Sequence, residues 1–413
     1  MKTSVKDIRF SGSILFISAL DFWSLGKGKG GPALWRTLTG YVNRGWEVHF
    51  ITGNRPVGKF NEIPYNINVI RFDAPWLKRL FLVKKLGFFA KILWWIYFQI
   101  MAFYKAYKLY LKANIDVVYG YEIHAVPVVK ILSRLWNVPM VARYQGSILR
   151  LVWMKKLFWK VRAWEYFLAY KMSPSSDLVI MTNDGSQGDK LMAQFGVSDE
   201  RLRFWVNGLD KEHFENLPNT DEACKYLNIY HRHVLLSVSR LIDLKRVDRS
   251  IQALSDVLKD YPDTLLLIVG DGNEREKLKQ LADELGVREY VRFEGAVLHS
   301  EIPKYLAAAD IFLSFYDWTN VGNPLLEAMM AGKCIVTLDN GDTGRFIRNG
   351  ENGILLSYND LPKLPEVIKN LLANETLRKQ LGVNARSFAE KNFWSWEERI
   401  EAEVREVSRF VGA

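Results

Sequence analysis

The feature that most constrains this chain is an alternation of short apolar runs with helical patterns, carried through twice. In the first half, Ile14–Ala19, Glu47–Thr52, Asn68–Phe72, Val117–Tyr121, Met140–Ala142 and Leu178–Met181 read as strands. Helical patterns such as Ala33–Asn43 and Val126–Trp136 separate them. The second half repeats the scheme with His233–Val238, Leu265–Val269, Val291–Glu294, Ile311–Ser314 and Cys334–Thr337. Strands that alternate with helices pair in parallel, because a parallel return needs a crossover, and the helices then cover both sheet faces. The expected fold class is therefore α/β, with two Rossmann-like domains. The boundaries read as residues 1–206, residues 207–392 and a terminal segment 393–413. Its helix, Trp394–Phe410, is expected to return to the first domain. The polar stretch Asn207–Asn219, with Pro218, marks the junction. Ligands of such folds sit beyond the carboxyl ends of the strands, which places the site in a cleft between the domains.

Composition narrows the class. Hydrophobic residues make up 49% and charged residues 25% of the 413, the balance of a globular chain with ample core. Cys224 and Cys334 are the only cysteines, and no Cys/His spacing fits zinc, so neither a disulfide framework nor a structural zinc site is expected. Charge is uneven. Residues 1–206 carry 30 Lys and Arg against 13 Asp and Glu, while the remainder is net acidic. Eleven of the 14 tryptophans lie in that basic half, which suggests that it meets an anionic surface. No segment reaches ~18 consecutive apolar residues. The longest uncharged apolar run is Ile92–Tyr104, and Ile14–Leu20 reads as a first strand rather than a leader.

Three places carry candidate chemistry. In Gly322-Asn323-Pro324-Leu325-Leu326-Glu327, Asn323 suits a helix N-cap, Pro324 the first helical position, and Glu327 lies one turn in. Free N–H groups at such a start hold anions, and Arg240 and Lys245 would add fixed positive charge. The combination suits a diphosphate ligand with hydroxyls beside the glutamate, although many Asn-Pro helix starts are nothing more. Gly270-Asp271-Gly272 leaves a strand at its carboxyl end, and so does Tyr121-Glu122-Ile123-His124. Either is a plain turn or a ligand contact. Gly28-Lys29-Gly30-Gly31-Pro32-Ala33 has the form of a dinucleotide fingerprint, but it comes too late after the first strand. A glycine loop over the cleft, using Gly30 and Gly31, fits better.

Taken together, Val238–Lys245, Ile268–Gly272, Ala309–Ser314, Asn323–Lys333 and Gly350–Gly353 resemble the C-terminal domain of family 4 glycosyltransferases with the GT-B fold. Asn207–Asp210, the Gly30-Gly31 loop and Gly45–Val48 fit the same family. The resemblance implies retaining transfer of a sugar from a nucleotide donor, with no required metal or cofactor. It implies that Arg240 and Lys245 hold the donor diphosphate and that Glu327 binds the ribose. Gly270, Asp271 and the backbone of Val321, Gly322 and Asn323 would meet the donor. His124 would face the reacting sugar, with Tyr121 as a competing alignment. The family often carries a glutamate eight positions before the second one, and here that position is Thr319. Asp317 supplies the acid if two residues are inserted. Gln145 stands where many relatives carry histidine.

Two basic aromatic segments complete the reading. Trp76–Lys112 holds eight basic residues and no acid. Lys84, Lys91, Lys105 and Lys112 fall at multiples of seven, with Trp94 and Trp95 among them. On one continuous helix these lysines share a face. Arg150–Lys171 mixes six basic residues with aromatics that include Trp153 and Trp159. A solvated helix face is the plain alternative. The density of Trp beside Lys favours an anionic membrane, and no motif accompanies the charge to indicate nucleic acid. The chain thus reads as a cytoplasmic, peripherally membrane-bound glycosyltransferase with a lipid-linked or glycan acceptor. A nucleotide-sugar epimerase on the same fold, or a membrane-bound sugar-nucleotide binding protein without transfer, are the alternative readings.

Overall fold

The computed structural model describes residues 12–20, 33–53, 66–80, 83, 86–147, 149 and 161–411. Gly30, Gly31, Lys84, Trp153 and Trp159 lie outside the described residues. The strands are β1 (Ser13–Ser18), β2 (Glu47–Thr52), β3 (Ile67–Arg71), β4 (Val117–Tyr121), β5 (Met140–Tyr144), β6 (Leu178–Thr182), β7 (Leu202–Trp205), β8 (His233–Val238), β9 (Thr264–Val269), β10 (Val291–Gly295), β11 (Ile311–Ser314), β12 (Cys334–Leu338) and β13 (Ile354–Leu356). They form a seven-stranded sheet in the order β3-β2-β1-β4-β5-β6-β7 and a six-stranded sheet in the order β10-β9-β8-β11-β12-β13. Every pairing within them is parallel. Central strands are buried on both faces, so β4 and β9 are buried at every residue and read as unbroken apolar runs.

Chain order reverses between β1 and β4 in one sheet and between β8 and β11 in the other. Crevices open at such switch points because neighbouring crossovers leave on opposite faces. Ser18 and Tyr121 therefore end adjacent strands at one crevice, and Val238 and Ser314 end strands at the other.

The terminal helix Trp396–Ser408 packs on the first sheet. Its Trp396, Ile400, Val404 and Val407 join a core with Ile14, Phe16 and Tyr119. Ser395 and Glu398 form a reciprocal capping box that fixes its start. Within the core Glu403 is completely buried between two arginines. It accepts bonds from Arg143 Nη1 at 2.9 Å, Arg399 Nη1 at 3.0 Å and Tyr119 Oη at 2.7 Å.

The lysine reading of the first domain needs correction. Trp76–Lys112 is not one helix: Pro75–Leu80 and Gly87–Tyr110 are separate, and Lys112 lies in the turn beyond. Lys91 and Lys105 do share the longer helix. Its inner face buries Ala90, Phe98, Ala102, Ala106 and Leu109 against the sheet. Its outer face exposes Phe89, Leu93, Ile96, Ile100, Tyr104 and Tyr107, spaced three and four apart. By length and composition this helix is apolar enough to cross a membrane. Its inner face belongs to the domain core, so it lies along the surface. Trp94 and Trp95 are half-buried, and Trp94 packs on that core.

Candidate active site in the interdomain cleft

A cavity of about 600 Å³ opens between the two switch points. Tyr121, His124 and Gln145 line it from the first domain, and Arg240, Lys245 and Glu327 from the second. Gly270, Asp271 and Asn323 also reach it.

Loop geometry explains these placements. Leu241 N donates to Asp271 O at 2.9 Å, which ties the loop after β8 to the loop after β9. Gly270 has φ +133°, and a Cβ there would stand 1.8 Å from Ser239 O, so only glycine allows the contact. Lys245 ends a short 3₁₀ turn and sets its ammonium 3.6 Å from the Tyr316 ring centroid. Burial, and then the charge of Arg240, lower the Lys245 pKa to about 8, while Asp184 opposes them.

The helix that carries Glu327 runs Asn323–Met330, and Gly322 is its N-cap residue. The expected cap is therefore displaced by one position. Asn323 opens the helix, and its Oδ1 accepts from Asn207 Nδ2 at 3.2 Å. Val321 and Gly322 do not line the cavity; Val321 is packed in the second core. Glu327 is almost fully buried, and Oε1 lies 2.8 Å from His299 Nε2. That hydrogen bond raises the His299 pKa against the burial of the ring.

On the opposite wall, Tyr121 is buried and its hydroxyl accepts from Gln145 Nε2 at 2.7 Å. Burial raises its pKa well above the ordinary phenol value. Glu122 adopts φ +74°, which is strained for a non-glycine, and its carboxylate accepts from Gln145 N at 2.9 Å. His124 is held on the outer side, edge-on to Trp94 with ring centroids 5.6 Å apart and 3.5 Å from Glu165. It joins the cavity to the long surface helix.

Asp317, expected near the sugar, is not among the residues that line this cavity. Its carboxylate is committed to Arg249 at 2.7 Å and Arg246 at 3.3 Å. Its backbone N–H donates to Leu244 O at 3.1 Å, so it braces the loop that carries Lys245.

Two family descriptions match successive parts of the chain: "Glycosyltransferase Family 4" over residues 33–213 and "Glycosyl transferases group 1" over residues 222–388. The chain belongs to glycosyltransferase family 4. A GDP-mannose-dependent alpha-(1-6)-phosphatidylinositol monomannoside mannosyltransferase of Mycolicibacterium smegmatis is 30% identical over 220 residues, 51% of this chain and 56% of the relative. The lipopolysaccharide glucosyltransferase WaaG of Escherichia coli is 29% identical over 54% of this chain and 59% of its own length. These matches thus span little more than half of the curated relatives. Among solved structures, Anabaena HepE in complex with UDP and glucose superposes with a TM-score of 0.70 at 20% identity, covering 96% of this chain and 99% of that one. The WaaG crystal structure gives 0.71 at 20% identity, covering 97% and 100%. The fold is that of the GT-B enzymes.

Thr319, at the position where the family often carries a glutamate, is engaged within the fold. Its hydroxyl donates across the cleft to Asp184 O at 2.8 Å. Asp342 N reaches Gly185 O at 2.9 Å beside it. The turn after β6 therefore occupies the space next to Thr319. A Cβ on Gly185, at φ +77°, would fall 2.0 Å from the threonine hydroxyl. Burial pushes the Asp184 carboxyl up to about 6, against hydrogen bonds from Ser186.

Sequence reading missed His299, which lines the cavity, and Asp184, whose charge acts on Lys245. Both follow strand ends, β6 and β10, and that signal is the one that singled out His124. Asp210, His213 and His299 bring ligand atoms within 4.8 Å of one another. The group is organised as ion pairs, because Asp210 is already engaged by Arg36 and His299 by Glu327.

Proposed function

We propose that this protein transfers a sugar, with retention of configuration and without a metal ion, from a nucleotide diphosphate donor to a lipid-linked acceptor at the cytoplasmic face of a membrane. The convergence of Arg240, Lys245 and Glu327 on one cavity carries the reading. Two cations suit a diphosphate, and a buried carboxylate suits ribose hydroxyls. Lys245 and Arg240 stabilise the charge that develops on the departing diphosphate, while the fixed walls orient the acceptor hydroxyl. Gly270, Asp271 and Asn323 complete the donor wall, and the Gly30-Gly31 loop closes over it. Domain limits at 1–206, 207–392 and 393–413 fit this division of labour. The named relatives act on phosphatidylinositol mannoside and lipopolysaccharide, which supports a lipid-linked acceptor. The test is incubation with nucleotide sugars and a membrane extract, with the anomeric product read by NMR. An α-linked product from an α-donor, formed equally with and without a chelator, is expected. Epimerised donor with no transfer would replace this reading with the epimerase one.

The exposed stripe on Gly87–Tyr110 supports the membrane part. Six large exposed apolar side chains along one helix face are the pattern of an interaction site. Lys91, Lys105 and Lys112 flank it, and the helix has no acid. Apolar residues would enter the acyl boundary while the lysines meet anionic headgroups. Leu93→Glu with Ile100→Glu should abolish sedimentation with anionic vesicles at every salt concentration. Glutamine at Lys91, Lys105 and Lys112 should remove only the salt-sensitive part, since screening acts on charge alone. Unchanged sedimentation of the glutamate variant would exclude this helix as the docking surface.

A further inference from the structure

A line of four charged groups crosses the molecule from the first domain to the donor cavity. Arg36, on the helix Ala33–Asn43, contacts Asp210 Oδ1. Asp210 lies in the connector between the sheets and is almost fully buried. Its Oδ2 is 3.7 Å from His299 Nδ1, and His299 Nε2 is 2.8 Å from Glu327 Oε1. His213, whose Nδ1 is buried without a hydrogen-bond partner among the described residues, faces the same ring with centroids 6.3 Å apart.

We propose that Asp210 and His299 are positioning residues that orient Glu327 for the donor ribose and link its orientation to the domain contact made by Arg36. This rests on the proposed role of Glu327. A buried carboxylate with two oxygens and one partner can rotate. With Oε1 fixed by His299, Oε2 is left to accept from a ribose diol. His299 with both nitrogens protonated lies between two carboxylates and gives Glu327 Oε1 a charge-assisted donor. Arg36 holds Asp210 in turn, and Arg36 belongs to the other domain. Separation of the domains would release Asp210, then His299, then the carboxylate. Donor binding and domain closure are thereby coupled through side chains with defined partners.

The experiment is calorimetric binding of a nucleoside diphosphate and of its 2′,3′-dideoxy analogue to the full chain. Wild type should prefer the ribose form. His299→Ala should weaken the ribose form about tenfold, the scale of one charge-assisted hydrogen bond, and leave the dideoxy form unchanged. His299→Gln, which keeps a donor, should recover part of the loss and also serves if the alanine variant fails to fold. Arg36→Ala should weaken the ribose form by roughly threefold, in the range of a partly exposed ion pair. The wild-type preference should shrink as pH rises from 6 to 8, while that of His299→Gln stays flat. A ribose preference that survives His299→Ala overturns the relay. Equal loss for both ligands makes His299 a structural residue only and also overturns it. No discrimination by wild type rejects the role of Glu327 itself, and no binding at all rejects the donor site.

Discussion

Lys245→Ala is expected to lower kcat/KM by roughly 30- to 1000-fold, which corresponds to about 2–4 kcal/mol of lost transition-state stabilisation. The ammonium sits in a half-buried position over Tyr316 and shares the cavity with Arg240, so water replaces it poorly. The same environment predicts a pH limb. With its pKa lowered to about 8, Lys245 is charged below that value and loses its proton as pH rises through it. Donor affinity should therefore fall between pH 7 and 9 in the wild type, and this limb should be missing in Lys245→Ala. Steady-state kinetics across that range checks both statements. Wild-type turnover in the alanine variant would remove Lys245 from the mechanism, and an identical pH profile would assign the limb to another group.

The second large effect concerns stability. Glu403→Gln should destabilise the protein by roughly 3–5 kcal/mol, because it leaves Arg143 and Arg399 buried with no anion. Burial already lowers the Arg399 pKa despite the opposing charge of Glu403, so its charge is the less tolerated of the two. A fall in Tm on the order of 10 °C follows for a domain of this size. Replacing Arg143, Arg399 and Glu403 together by Met, Met and Leu should restore most of it, since removing all the charges removes the unpaired one. Calorimetry decides. A Tm within a degree or two of wild type for Glu403→Gln would mean that water reaches the arginines.

How far the sequence discloses this molecule depends on burial. Interior strands such as β4 and β8 stand at the residues expected, because burial on both faces leaves a continuous apolar run. The strands β7 and β13 escape notice. They are short, half-buried edge strands, and Arg203 interrupts the pattern of β7. The Gly87–Tyr110 stripe is hidden for the opposite reason. Apolar residues occupy both its buried and its exposed face, so no amphipathic signal remains. Lysines at sevenfold spacing then stand out, although the chain breaks the helix that would have aligned them. In the site, Arg240, Lys245 and Glu327 are legible from strand ends and family pattern. Arg36, Asp210 and His299 are not, because only folding brings together side chains so distant along the chain.

The return of Trp396–Ser408 to the first sheet bears on the order in which the protein can be made. Ribosomes release the chain from its amino end, and domains generally fold as they emerge. Here the face formed by Ile14, Phe16 and Tyr119 waits for Ile400, Val404 and Val407, which are synthesised after the entire second domain. Arg143 likewise waits for Glu403. Until then the first domain presents to solvent an uncovered apolar face and an arginine without its anion. The second domain carries no such debt and can close first. A chain truncated before residue 396 would leave that apolar face of the first domain without its cover.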